Sequence, residues 1–268
     1  MSAKSFFTSN VRPFAQVGLS AKGLVYCLIG ILTFMAAFQL GGRSTGNSDR
    51  QGALKAIEDQ TGGKIILVVV ALGLLCYTVW RLIQTFADTE NKGTKIKGLA
   101  ARARFLFSGL IYSSIGIVAL KMVFSSGSSS GDSRQQMAKE LLSKPFGQWL
   151  AGIAAAIIIG IGIYQVYYGL SEKYSKHIEK SGSEKHRDLL IGAGKLGYIA
   201  RGIVWLVIGW LFAKAAFYSN SNEAGDTSKA FRFLADASYG SYLLGAVGFG
   251  LLCYGLFNFI RARYERFG

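Results

Sequence analysis

Long apolar blocks alternate with polar, glycine-rich or basic segments along the whole chain. The six apolar blocks span residues 17–40, 63–86, 105–124, 147–170, 197–218 and 240–260, and none of them contains Asp or Glu. A helix needs about 20 apolar residues to cross a bilayer, and each block meets that length. The pattern therefore predicts six transmembrane helices, with the intervening polar segments lying outside the membrane.

The blocks form three copies of one two-helix unit. The first block of each unit carries the same motif, Gly23-x2-Tyr26-x3-Gly30, Gly109-x2-Tyr112-x3-Gly116 and Gly202-x2-Trp205-x3-Gly209. The second blocks match one another through Gly73 to Tyr77, Gly160 to Tyr164 and Gly250 to Tyr254. A unit with an even number of spans starts and ends on the same side of the membrane, so the repeats are parallel. We expect an all-α integral membrane protein in which three parallel two-helix repeats surround a pseudo-threefold axis. It forms a single membrane domain over residues 1–268, with repeats at approximately 14–87, 101–171 and 194–260.

The paired glycines of the motif predict close contacts between helices. Glycines seven residues apart are about two helical turns apart and share one helix face. Small residues on such a face allow neighbouring backbones to approach, which favours helix association inside lipid. The predicted packing positions are Gly23, Gly30, Gly109, Gly116, Gly202 and Gly209.

The repeated unit resembles the membrane proteins grouped as the family "domain of unknown function" 1206. The matching residues are Ala53-Leu54, Gly73-Leu74 with Tyr77, Pro145-Phe146-Gly147, and Gly250-Leu251 with Tyr254. The middle repeat departs with Ile161 after Gly160, and the other two lack the Pro-Phe pair, having Thr61-Gly62-Gly63 and Ser238-Tyr239-Gly240. The resemblance covers almost the whole chain. It implies a multi-pass membrane protein and carries no assigned activity.

The basic residues are distributed unevenly between the two sides of the predicted membrane. The formal net charge is +15, and 19 Lys and Arg residues fall on the side of the termini against eight on the other side. The positive-inside rule then predicts cytoplasmic termini, and the expected location is a bacterial inner membrane. Basic segments beside a bilayer attract anionic lipids, which explains the charge without a nucleic-acid partner.

The sequence contains no recognisable catalytic or cofactor motif. Its two histidines, His177 and His186, lie in a basic polar connection, and the three cysteines lie singly within apolar blocks. Neither set has the spacing of a metal site, and no histidine is available in a span to ligate haem. We therefore expect no enzymatic activity, no metal and no cofactor.

Mid-span polar residues are the remaining candidates for a functional interior. Tyr77, Tyr164 and Tyr254 lie near the middle of their blocks, away from the interfacial zone where tyrosine usually gathers. With Gln165 and Asn258 they form a candidate interior polar lining. The expected arrangement is three separate interhelical hydrogen bonds, and the alternative is a shared polar cavity on the axis. Arg81 is predicted to anchor its helix end at the membrane surface.

Two functions remain open at this stage. The first is a non-enzymatic scaffold or interaction protein, with a membrane-protein partner or a second copy of the chain. Its docking surfaces would be the basic loops and three short amphipathic segments at residues 53–57, 137–142 and 230–234. The alternative is a channel or facilitator for a small neutral or anionic solute along the pseudo-threefold axis.

Overall fold

Long α-helices account for most of the computed structural model, which describes residues 3–40, 50–90, 92–124, 147–177, 184–218 and 227–264. The helices are α1 (Ala3–Ala37), α2 (Arg50–Glu58), α3 (Gly63–Phe86), α4 (Ile96–Phe124), α5 (Gly147–Leu170), α6 (Glu184–Phe217), α7 (Thr227–Ala235) and α8 (Gly240–Tyr264), with a short 3-10 helix at Lys173–His177 after α5. Six of these helices are long and apolar enough to cross a membrane. The predicted number of spans is thus confirmed for the described residues.

The six long helices pack side by side in a continuous row. In this row α5 contacts α6, α6 contacts α8, α8 contacts α1, α1 contacts α3, and α3 contacts α4. Helices α4 and α5, at the two ends of the row, make far fewer contacts with each other than any of these pairs. The second repeat is therefore the only one of the three whose two long helices are not closely packed.

Neighbouring helices in the row run antiparallel, as their glycine contacts demonstrate. Gly23 faces Gly255 and Gly30 faces Gly248, so α1 and α8 run in opposite directions. A Cβ added at Gly30 would lie 2.7 Å from the carbonyl oxygen of Gly248 and 2.8 Å from the Cα of Leu252. Such an approach brings two helix backbones into direct contact, because neither helix has a side chain between them.

The other motif glycines also face neighbouring helices, less closely at Gly109 and Gly116, where an added Cβ would lie 3.3 and 3.4 Å from the nearest atom. Gly109 and Gly116 face Arg81 and Ala71 of α3, and Gly202 and Gly209 face Gly162 and Ile159 of α5. All six predicted packing glycines therefore lie against a helix from another repeat.

The antiparallel order gives the bundle two distinct ends. The basic end holds the starts of α1, α4 and α6 and the ends of α3, α5 and α8. The capped end holds α2 and α7.

The short helices α2 and α7 cover the capped end with their apolar faces. Ala53, Leu54, Ala230 and Phe231 are fully buried against the long helices. A Cβ at Gly63 or Gly240, the first residues of α3 and α8, would collide with a carbonyl at the end of the preceding short helix. The expectation that residues 53–57 and 230–234 offer docking surfaces is therefore wrong for most of their apolar side chains, since the bundle already covers them. The third predicted segment, 137–142, lies outside the described residues.

Candidate functional site

A buried cation and a half-buried one lie at matching positions of the first and third repeats. Lys22 of α1 and Arg201 of α6 each immediately precede the first motif glycine, Gly23 and Gly202. The side chain of Lys22 is only 3% exposed. Its Nζ donates to the hydroxyl of Tyr254 at 3.0 Å and to that of Tyr77 at 3.5 Å. Arg201 donates from Nη1 to the same Tyr254 hydroxyl.

A third cation, Arg81 of α3, turns into the bundle beside Lys22. Its Nε and Nη2 donate to the Tyr77 hydroxyl at 2.8 and 2.6 Å, and its Nη1 donates to Gln84 Oε1 at 2.7 Å. The guanidinium carbon lies 4.8 Å from the centre of the Tyr77 ring. The predicted role of Arg81 as a surface anchor is therefore wrong, because its head group contacts the interior residue Tyr77.

Aromatic rings surround these cations in a repeated arrangement. Tyr26 meets Tyr254 edge to face with ring centres 4.9 Å apart, and Tyr112 meets Tyr77 at the same distance and almost the same angle. The Lys22 ammonium lies 5.2 to 5.3 Å from the ring centres of Tyr77, Tyr112 and Tyr254. Ring faces attract cations, which offsets part of the loss of hydration. Together Lys22, Tyr26, Tyr77, Arg81, Tyr112, Arg201 and Tyr254 form what we term the tyrosine–cation cluster.

A cavity of about 870 Å³ opens from this cluster towards the basic end and towards the gap between α4 and α5. We term it the inner cavity. Among the described residues, its charged lining consists of Lys22, Arg81, Lys92, Lys97, Arg104, Arg201 and Arg261, with Glu90 as the one carboxylate. Glu90 already accepts a hydrogen bond from Gln84 and pairs with Lys92 at 3.2 Å. The cavity wall is therefore strongly positive, and its size is typical of a small-molecule site.

Two polar atoms in the wall have no hydrogen-bond partner among the described residues. They are Oε1 of Gln165, whose side chain is 8% exposed, and Nε of Arg201. A buried polar atom without a partner costs about 1–3 kcal/mol, so such atoms in a cavity wall indicate where a ligand would bind. Gln165 and Arg201 lie at a similar level on the adjacent helices α5 and α6.

The predicted polar lining is only partly assembled at this site. Tyr77 and Tyr254 are fully buried and share the ammonium of Lys22, so the expectation of separate interhelical bonds is wrong for this pair. Gln165 lines the inner cavity. Tyr164 lies at its rim, 43% exposed, where its hydroxyl accepts a hydrogen bond of 3.0 Å from Arg104.

Asn258 does not belong to the cavity wall. It is fully buried, and its Nδ2 donates to the backbone carbonyl of Tyr254, one turn earlier on the same helix, at 2.6 Å. The side chain thus bonds to its own helix instead of facing the cavity, which corrects the sequence-based placement of this residue.

Lys22 and Arg201 were not predicted as site residues, because both were counted among the basic residues flanking the membrane. A signal was present in the sequence. Both residues precede the first glycine of the repeated motif, where the middle repeat has Ser108. The motif glycines lie at helix contacts, so a cation one position earlier lies beside the packed face and not in a loop.

Tyr174, in the short 3-10 helix after α5, holds that segment against α6. Its hydroxyl donates to the carbonyl of Ile191, and its ring packs 5.3 Å from that of Tyr198. Burial and the nearby carboxylate of Glu172 raise the pKa of Tyr174 to about 12, so this hydroxyl stays protonated and able to donate at physiological pH. Among the described residues, no group of three His, Cys, Asp or Glu side chains could hold a metal ion.

The fold and this interior define a multi-pass helical membrane protein with a polar, cationic cavity. The chain matches the family Domain of Unknown Function (DUF1206) three times, over residues 17–88, 103–172 and 196–265, and it belongs to that family. It is 30% identical over 256 residues to the uncharacterized protein YxxB of Bacillus subtilis (strain 168), an alignment that covers 95% of this chain and 91% of that protein. No solved structure shows a significant match to the chain.

Proposed function

We propose that this protein binds a small anionic ligand in the inner cavity. The observation that carries the proposal is the position of the buried Lys22 and the half-buried Arg201 beside tyrosine hydroxyls, with no carboxylate bonded to either among the described residues. A phosphate or carboxylate group in the cavity would supply the missing negative charge.

The energetic argument rests on the cost of a buried charge. Removing an ammonium or guanidinium from water costs several kcal/mol unless an opposite charge compensates for it. Neutral tyrosine hydroxyls and ring faces compensate only in part. Intramembrane cations that face an interior cavity commonly mark ligand or ion sites. Three such residues around one space favour an anionic ligand over a purely structural role.

The proposed architecture is a ring of three parallel two-helix repeats around a pseudo-threefold axis. The equivalent aromatic pairs Tyr26–Tyr254 and Tyr112–Tyr77 support it, since each joins the first helix of one repeat to the second helix of another. Trp205 and Tyr164 occupy the third equivalent position. A site on this axis would draw its cations from different repeats, which gives the repetition a function.

We place the protein in a bacterial inner membrane with the basic end in the cytoplasm, where anionic lipids would contact the basic loops. The uneven distribution of Lys and Arg supports this orientation. Single cysteines replacing the exposed residues Thr94 at the basic end and Ser238 at the capped end test it, with Cys27, Cys76 and Cys253 changed to alanine. An impermeant thiol reagent added to intact cells is expected to label Ser238→Cys alone. Labelling of Thr94→Cys alone would contradict this orientation and indicate that the basic end faces outward.

Binding without covalent chemistry is the proposed activity, and the protein is proposed not to be an enzyme. A scaffold role drew its support from exposed amphipathic segments, and the burial of Leu54 and Phe231 removes much of that support. A facilitator would need a path open at both ends. The buried apolar core continues from Tyr26 through Ile29 and Leu32 towards the capped end, which favours binding from the basic end in this conformation.

Calorimetric titration of the protein in nanodiscs of zwitterionic phosphatidylcholine tests the proposal. The probes are inorganic phosphate and glycerol phosphate, and the matched control is the double variant Lys22→Met, Arg201→Met. We expect saturable binding of at least one probe to the wild type and none to the variant. Equal heats for the two proteins, or no binding of either probe to the wild type, would contradict the proposed function.

A further inference from the structure

We propose that the ligand of the inner cavity is an anionic amphiphile, a phosphate-bearing lipid, which enters from the bilayer through the gap between α4 and α5. We term this gap the portal. The inference rests on the proposed anion site and adds to it the class of ligand and the route of entry.

The portal has an identifiable cause in the sequence of the second repeat. In the first and third repeats, Gly18 and Gly197 allow the backbones of Tyr77 and Tyr254 to approach, and a Cβ at either glycine would lie 2.5 or 2.6 Å from the tyrosine Cβ. These glycines lie five residues before the motif glycines Gly23 and Gly202. The equivalent residue before Gly109 is Arg104. A long charged side chain thus replaces the glycine at this contact and prevents the same close packing.

At a second position of the same contact, the second repeat again has a large residue where the other repeats have a small one. A Cβ at Gly73 would lie 2.5 Å from the Cβ of Ala21, and a Cβ at Gly250 would lie 2.5 Å from that of Ala200. In the second repeat the alanine position is held by Phe107. The corresponding glycine, Gly160, has nothing within 4 Å of an added Cβ. The intrarepeat contact made twice elsewhere is therefore absent between α4 and α5.

The portal connects the inner cavity with the lipid-facing surface of the bundle. Phe107, Ile157 and Tyr164 all line the cavity, yet they are 49%, 58% and 43% exposed. They lie within helices that are long and apolar enough to span the membrane. Acyl chains are the medium at this depth, so a hydrocarbon tail can occupy the gap between apolar side chains without leaving the bilayer.

The two parts of an amphiphile fit the two parts of this space. Lys22 and the unpartnered Nε of Arg201 would bind a phosphate through charge-assisted hydrogen bonds. The amide of Gln165, whose Oε1 has no partner, would accept a hydrogen bond from a hydroxyl of the same head group. Arg104 at the rim also lies beside the path of the phosphate. A freely soluble anion would compensate the charge of the cations, but it would make no use of the apolar portal.

Blocking the portal with one bulky side chain tests the route. Gly160→Trp would fill the open space beside Gly160. The matched control is Gly152→Trp on the same helix, where an added Cβ also meets nothing within 4 Å and which does not line the cavity. Ile157→Trp, at an exposed lining position, is a second blocking variant in case the first does not fold. Native mass spectrometry would measure retention of phosphatidic acid and of phosphatidylcholine with identical acyl chains, and calorimetry would measure glycerol phosphate binding.

We expect the wild type and Gly152→Trp to retain one phosphatidic acid in preference to phosphatidylcholine. The portal variants are expected to lose this retention by about tenfold or more. Retention of phosphatidic acid by the portal variants at the wild-type level would overturn the route of entry. If the wild type binds glycerol phosphate but does not retain phosphatidic acid, the proposed class of ligand is overturned. Either result leaves the proposed anion site standing. Failure of both inorganic phosphate and glycerol phosphate to bind the wild type would overturn the anion site itself.

Discussion

A leucine in place of Gly30 is expected to lower the free energy of unfolding by about 3 kcal/mol or to prevent folding altogether. Gly30 lies where α1 and α8 meet backbone to backbone, and an added Cβ would already be 2.7 Å from the carbonyl oxygen of Gly248. The neighbour is main chain, so it cannot move aside as a flexible side chain can. Thermal unfolding in detergent, followed by the reactivity of the three free cysteines, would measure the loss.

Gly152→Leu is the matched control for this substitution. It also replaces a glycine within a transmembrane helix, but its added Cβ would meet nothing within 4 Å. Leucine has the higher helix propensity, so the control is expected to unfold at the same temperature as the wild type or slightly above it. Equal thermal stability of Gly30→Leu and Gly152→Leu would contradict the close packing of α1 on α8.

Lys22→Met and Arg201→Met are each expected to weaken anion binding by about tenfold or more without loss of thermal stability. A hydrogen bond to a charged group contributes about 1.5–3 kcal/mol, and 1.4 kcal/mol corresponds to a factor of ten in affinity. Replacing a buried charge with an apolar side chain of similar size is often neutral or stabilising, because the desolvation cost disappears. Weaker anion binding together with unchanged or higher thermal stability would show that the cation serves a ligand site and not the fold.

Lys195→Met is the control for the change in charge. Lys195 lies near the basic end, pairs with Glu172 at 3.2 Å and does not line the inner cavity. Its loss alters the net charge as much as the loss of Lys22 does, and we expect unchanged binding of glycerol phosphate. If Lys22→Met lowers the unfolding temperature strongly and leaves binding unchanged, the cation serves the fold alone.

The helical architecture could be predicted from the sequence because its causes are local and repeated. Apolar length defines the six spans, and the glycine spacing marks faces such as that of Gly23 and Gly30. Each signal occurs in three copies, which makes a chance match improbable. The partners of those glycines could not be predicted, since Gly23 contacts the third repeat through Gly255 and not the second helix of its own repeat.

The candidate site was predicted less well, because burial of a cation depends on long-range packing. Lys22 lies in the half of the span Pro13–Ala37 that is nearer the basic end, where a lysine ordinarily extends to the membrane surface. Contacts with Tyr77 and Tyr254, which are 55 and 232 positions away in sequence, turn it inward. The portal was also missed. Its cause, Arg104 and Phe107 in place of glycine and alanine, becomes visible only once Gly18 and Ala21 are known to contact α3.

In the proposed function, the three two-helix repeats together form an anion site inside the membrane. Crystals soaked in selenate, an anomalously scattering analogue of phosphate, would test it most directly. An anomalous peak is expected in the inner cavity within about 4 Å of Lys22 Nζ and Arg201 Nε, because the selenate oxygens would lie at hydrogen-bond distance from these atoms, and it should disappear in the Lys22→Met, Arg201→Met variant. Anomalous density confined to exposed lysines such as Lys92 and Lys97 at the cavity mouth, unchanged in that variant, would contradict it.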